Sequence, residues 1–155
     1  MVRRANETRR QAVRALARMA RQLERSSGEL NLAHYRVLAA VADGDERASM
    51  VAERLALGKP TVSASVESLT RRGLLSREDS ADDRRAATLA LTPAGEAALA
   101  AVEEEMLARL DLLCARTPDP AGVVESLARL GEALDKVAAE RLAARKAKRA
   151  AGKGA

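Results

Sequence analysis

The 155-residue chain carries 27 basic against 22 acidic residues, a formal net charge of +5, and is 47% hydrophobic with one Tyr, no Phe and no Trp. That length suits one domain, or one domain with appended helices, and a core built from Leu, Val, Ala and Met favours helix packed on helix over a large sheet. No stretch approaches the roughly 18 apolar residues of a membrane span, the N-terminus "MVRRANETRR" lacks a secretory apolar region, and the single cysteine, Cys114, excludes an internal disulfide.

The chain therefore reads as cytoplasmic with no membrane partner, and its basic balance favours a polyanion. The spacing of Val13, Leu16, Ala20 and Leu23 predicts a helix from about Thr8 to Arg25, with arginines on its other face. After the break "SSGEL", Tyr35, Leu38 and Val41 or Ala42 share one side of a second helix, about Leu32 to Ala42. "DGDE" is a turn. A short helix follows near Ser49 to Leu55 and is ended by Gly58. Pro60 falls in the first turn of the next helix, "PTVSASVESLTRR", whose Val62, Val66 and Leu69 face one way and which Gly73 stops.

Two short helices joined by a tight turn form a helix-turn-helix. "GLLSRED" and "AATLALT" are too short for helices and bracket the polar "SADDRR", so they predict a β-hairpin. Thr92, with Pro93 behind it, caps a long helix whose buried stripe is Leu99, Val102, Met106, Leu110 and Leu113. "TPDP" interrupts, with Asp119 as a cap. The last helix spaces Val123, Leu127, Leu130, Leu134 and Val137 by four and three, a heptad-like seam suited to a partner subunit. Residues 142–155 are expected to form a basic, disordered tail.

A helix-turn-helix followed directly by a hairpin is a winged helix, and the sequence resembles the MarR family of bacterial transcriptional regulators. The wing signature D-x-R-x-x-x-L-x-L-T-x-x-G is matched at Asp83, Arg85, Leu89, Leu91, Thr92 and Gly95. "TVSASVESLTRRGLLSRE" is similar to the family's recognition helix, ending at Leu69, Gly73, Leu74 and Arg77, and "LNLAHYRVLAAVAD" to its second helix. The resemblance implies a mainly α fold with a small β-hairpin wing. A winged helix-turn-helix over about 32–92 would be flanked by dimerisation helices over about 8–27 and 93–141. It further implies a homodimer on a pseudo-palindromic duplex with half-sites about 10 base pairs apart, and repression rather than activation.

The recognition helix needs short side chains near its start so that its backbone can approach base edges. Thr61, Ser63, Ala64 and Ser65 are all small, and Lys59 precedes them for a phosphate or a guanine. Arg71, Arg72 and Arg77 can reach backbone phosphates, as can Arg47 and Ser49 at the opening of the preceding helix. By the family pattern, Arg85 enters or borders the minor groove, Asp83 orients the wing, and Arg84 is a phosphate contact or solvated. Read singly, Thr61 and Ser63 are also ordinary helix-initiating residues, and Arg71 and Arg72 an ordinary solvated last turn. The recognition helix has no Asn or Gln, so hydroxyls, thymine methyls against Thr61 or Ala64, Lys59 and DNA shape carry base choice.

The resemblance also implies a small aromatic or anionic effector between dimer helices and winged domain. Candidate ligands are His34, Tyr35, Arg14, Arg18 and Arg21, although a lone His-Tyr pair is more often packing. Cys114 sits in an apolar stripe and reads as a small buried hydrophobe rather than a redox sensor. One His and one Cys cannot close a zinc site, and no phosphate loop, nucleophilic triad or paired carboxylates point to an enzyme or a cofactor. The remaining alternative is a non-specific architectural DNA-binding protein using the basic tail.

Overall fold

The computed structural model describes residues 2–26, 30–44, 47–78 and 88–151. In chain order they form α1 (Val2–Ser26), α2 (Leu32–Ala42), α3 (Ala48–Arg54), α4 (Lys59–Arg71), β1 (Leu75–Glu78), β2 (Thr88–Leu91), α5 (Pro93–Cys114) and α6 (Pro120–Ala151). The expected winged helix is present: α3 and α4 pack on each other and on α2, and α4 leads into an antiparallel β1–β2 pair. The register sets Leu75 opposite Leu91 and Arg77 opposite Leu89.

The helices begin and end where local chemistry dictates. Asn31 caps α2 by accepting a hydrogen bond from the His34 N–H at 2.8 Å, and Thr92 caps α5 by accepting from the Gly95 N–H at 3.0 Å. Asp119 does the same for α6 through the Gly122 N–H at 3.0 Å. Gly73 stops α4 as expected: its φ is +71°, and the Gly73 and Leu74 N–H groups donate back to Thr70 and Leu69. The same pair of reversed hydrogen bonds closes α3, from Ala56 to Glu53 and Leu57 to Ala52.

Four expectations need correction. The stop of α3 is Ala56, held at φ +52° in the left-handed region, and Gly58 instead caps the start of α4 with φ −65°. The first helix begins at Val2 rather than Thr8, since nothing between them breaks a helix. Residues 142–151 continue α6; the run is Ala, Arg, Lys and Leu, all strong helix formers, with no glycine until Gly152. Along the α5 stripe, Leu99, Val102 and Met106 are buried, while Leu110 and Leu113 are only half-buried.

One core unites Val37, Leu38 and Val41 of α2, Val51 of α3, Val62, Val66 and Leu69 of α4, Leu75 and Leu89 of the hairpin, and Leu99, Val102 and Met106 of α5. The hairpin is fastened to α5 at one joint. Thr92 Oγ1 donates to the Gly73 carbonyl at 2.6 Å, and the Thr92 N–H donates to the Leu74 carbonyl at 3.2 Å. The α5 backbone then passes so close that a Cβ on Gly95 would lie 2.0 Å from the Leu74 oxygen. That contact explains the glycine three residues after Thr92.

Two stability changes follow. Gly95→Ala must displace backbone, and we expect a loss of about 2–3 kcal/mol in urea unfolding. Ala56→Gly relieves the left-handed strain and should raise stability by up to about 1 kcal/mol, part of the relief being offset by the freer unfolded chain.

Candidate nucleic-acid interface

Helix α4 is amphipathic: one face is entirely core, and the other carries short side chains near its start, with Glu67 and Arg71 exposed further along. Val62 is 1% exposed, and Val66 and Leu69 are 0%. With that stripe inward, Lys59, Thr61, Ser63 and Ala64 stand exposed on the opposite side. Gly58 leaves the first N–H groups of α4 without a side-chain cap, so the helix start retains donors for an anion.

Ser65 departs from the expected reader set. It is 8% exposed, because positions 62, 65, 66 and 69 fall on a single helical face. A small hydroxyl says nothing about which face a residue occupies, whereas the spacing does. Ser65 is a core-facing residue and Ser63 is the exposed one.

Five cationic side chains surround α4. Arg47 is exposed at the start of α3, and its side chain makes no capping hydrogen bond. Ser49, two residues further along, is exposed as well. Lys59 and Arg71 are exposed at the two ends of α4, and Arg77 on β1. Arg72, next to Arg71, is exposed as well. Asp83, Arg84 and Arg85 lie outside the described residues.

The effector candidates separate in space. His34 and Tyr35 are half-buried in the first turn of α2, and His34 Nδ1 is buried with no hydrogen-bond partner. Burial, reinforced by the nearby positive charge of Arg72, holds the imidazole below its ordinary pKa of 6.5. Burial, followed by the charges of Glu103 and Asp43, raises the Tyr35 phenol above its ordinary value. Arg14 and Arg18, by contrast, border an open cavity of about 510 Å³ with Gln11 and Ala17. Neither His34 nor Tyr35 lines it, and Arg21 is exposed on the same helix.

Cys114 is a buried free thiol. Among the described residues, no three His, Cys, Asp or Glu side chains come together as a metal site, and no helix is long and apolar enough to cross a membrane. Sequence reasoning passed over Arg54, which bridges Asp43 and Asp135. No local spacing could have signalled it, since the pairings join distant parts of the chain.

Residues 28–86 match the MarR family model. The chain carries a winged helix similar to that of the MarR family. Solved structures extend the MarR fold over most of its length. One is a MarR family transcription regulator, 22% identical, with a TM-score of 0.68 over 94% of this chain and 96% of that one. Another is the transcriptional repressor CouR bound to a 23-mer DNA duplex, 24% identical, with a TM-score of 0.68 over 78% and 87%. A third concerns BpsR of Bordetella bronchiseptica, whose DNA binding is regulated by 6-hydroxynicotinic acid. It is 23% identical, with a TM-score of 0.60 over 78% and 98%. No curated protein matches the sequence.

The two serines give a sharp contrast. Ser63→Ala should weaken binding to a specific duplex about three- to tenfold, the loss of one interfacial hydrogen bond, while Ser65→Ala leaves it unchanged; fluorescence anisotropy reads both. The lone histidine should titrate by NMR with a midpoint below 6.5. Because its folded value is depressed, any stability it confers is present above pH 6.5 and lost as pH falls.

Proposed function

We propose that the chain is a homodimeric, sequence-specific duplex DNA-binding transcriptional regulator, a repressor released by a small effector. The observation that carries this reading is the one-sided α4, with Val62, Val66 and Leu69 fully buried and Lys59, Thr61, Ser63 and Ala64 turned out. A helix presenting such short side chains can bring its backbone close to base edges in the major groove. Hydroxyls of Thr61 and Ser63 meet base donors and acceptors, and the methyls of Thr61 and Ala64 meet thymine.

Arg47, Ser49, Lys59, Arg71 and Arg77 take phosphates and set register without carrying sequence information. On the wing, Arg85 takes the minor groove, Asp83 orients it and Arg84 takes a phosphate. CouR, a repressor captured on a duplex, supports the same use of this fold.

Apolar side chains left in water support the dimer. Leu130 is 53% exposed and Leu134 71%, and they lie on the heptad-like seam of α6 with Val137. Leu16 of α1 is 52% exposed. Such a patch on a single chain marks a contact surface, and a two-fold partner covers the terminal helices of both copies.

The effector reading rests on His34, whose buried Nδ1 has no partner and which lies within electrostatic reach of Arg72, the residue that ends α4. An anionic or phenolic group bonded there acts directly on the base of the recognition helix. Arg14, Arg18 and Arg21 lie on α1 at a separate surface, with Arg14 and Arg18 bordering their own cavity. The effector control of BpsR by 6-hydroxynicotinic acid is a precedent on the same fold.

The test is anisotropy on duplex from the gene's own upstream region against scrambled duplex, over a salt series. A preference of about 10³-fold or more is expected. Lys59→Ala should weaken both duplexes alike and lower the salt slope by about one, and Arg85→Ala should weaken the native site most. Equal binding to both duplexes, with affinity set by salt alone, would contradict the regulator reading and leave an architectural protein.

A further inference from the structure

The winged helix touches the terminal helices of its own chain at a second place, where α3 meets the later part of α6. Packing there is incomplete. A cavity of about 350 Å³ remains between the two helices, walled by Met50 on α3 and by Ala138, Ala139 and Leu142 on α6. Met50 is still 38% exposed. Interdigitated side chains resist sliding, but a contact with a gap of this size has little to fix its angle.

What spans the gap is charge. Arg54, the last residue of α3, donates from Nη2 to Asp43 Oδ2 at 2.7 Å, and the same nitrogen lies 3.7 Å from Asp135 Oδ1 on α6. Asp43 is the residue that ends α2, so the shorter arm of the bridge stays inside the winged helix and holds the guanidinium in one orientation. The longer arm reaches out to α6. All three side chains keep contact with solvent, at 30%, 59% and 65% exposure, so each arm is weak and sensitive to salt.

We propose that Arg54 is a positioning residue: clamped by Asp43 and drawn to Asp135, it latches the helix-turn-helix to α6 and sets the separation of the two recognition helices in the dimer. The consequence for DNA rests on the dimeric regulator reading; the latch itself does not. A weak interaction is sufficient because it acts on an angle that packing leaves soft. α3 is coupled to α4 through a short turn that begins with the reversed hydrogen bonds of Ala56 and Leu57 onto α3 and through Val51 and Val62 in the shared core. A rotation of α3 on α6 is therefore a displacement of α4, and the operator senses it as half-site spacing.

The experiment places spin labels on exposed positions of α4 and α6, Ser63→Cys and Ala128→Cys, in a Cys114→Ala background. Labelled protein is diluted into unlabelled protein so that each distance belongs to one protomer. With Asp135 intact the distribution is narrow. Asp135→Asn broadens or shifts it, Asp135→Glu restores it, and about 1 M salt acts on the unmutated latch as Asp135→Asn does.

In parallel, duplexes with half-sites moved by one base pair should lose about threefold in affinity for the parent protein and less for Asp135→Asn. A distance distribution indifferent to both Asp135→Asn and salt overturns the latch, whatever the duplexes do. A distribution that responds, in a protein with no preference between native and scrambled duplex, supports the latch and overturns the regulator reading instead.

Discussion

The stripe formed by Val62, Val66 and Leu69 is buried to within 1%, and the character of the surface proposed to face DNA follows from where that stripe points. Burying three β-branched or branched aliphatic side chains contributes several kcal/mol, at about 1.5–3 kcal/mol each. It fixes the rotation of α4 about its own axis to within one residue. Once that rotation is set, Thr61, Ser63 and Ala64 have no choice but to face outward, and Ser65 none but to face in. The exposed face of α4 is thus the complement of a packing decision. A change that loosens the stripe would blur the reading face without touching any residue on it.

Three turns translate that packing into a rigid unit. The left-handed Ala56 and Gly73 bracket α4, each closing a helix by the same pair of backward hydrogen bonds. Beyond Gly73, the close approach of Gly95 to Leu74 ties hairpin and α5 together, so the wing and the recognition helix share a base. The terminal helices are bound less tightly. Much of the apolar face of α1 and α6 remains in water, and the α3–α6 contact keeps a cavity. The molecule therefore consists of a stiff winged helix on a softer mount, an arrangement in which a weak interaction can change where the winged helix sits.

Much of this was legible in the sequence because the signals were local. The break "SSGEL" and the spacing of Tyr35, Leu38 and Val41 delimit α2, and Pro60 with Gly73 brackets α4. Thr92-Pro93 opens α5, and the L-T-x-x-G run marks the joint with the hairpin. The misreadings share a cause: residue character was allowed to outweigh geometry. Ser65 was read as a contact because it is polar, although its position three residues after Val62 assigns it to the core. Residues 142–151 were read as a tail because they are basic, although their helix propensity is high. Gly58 was read as the stop because glycine usually is one, while Ala56 bears the positive φ. The Arg54–Asp135 pairing was beyond any local pattern, since it exists only after α6 has folded back across α3.

The central claim is that the exposed face of α4, at Ser63, enters the major groove. It is tested most directly by tethering an iron chelate to Ser63→Cys in a Cys114→Ala background and mapping radical cleavage on the operator duplex. The account predicts two focused clusters of cuts, one per half-site, offset between the strands as a major-groove source requires. Diffuse cleavage along the duplex, or cuts with the opposite offset of a minor-groove source, would contradict it.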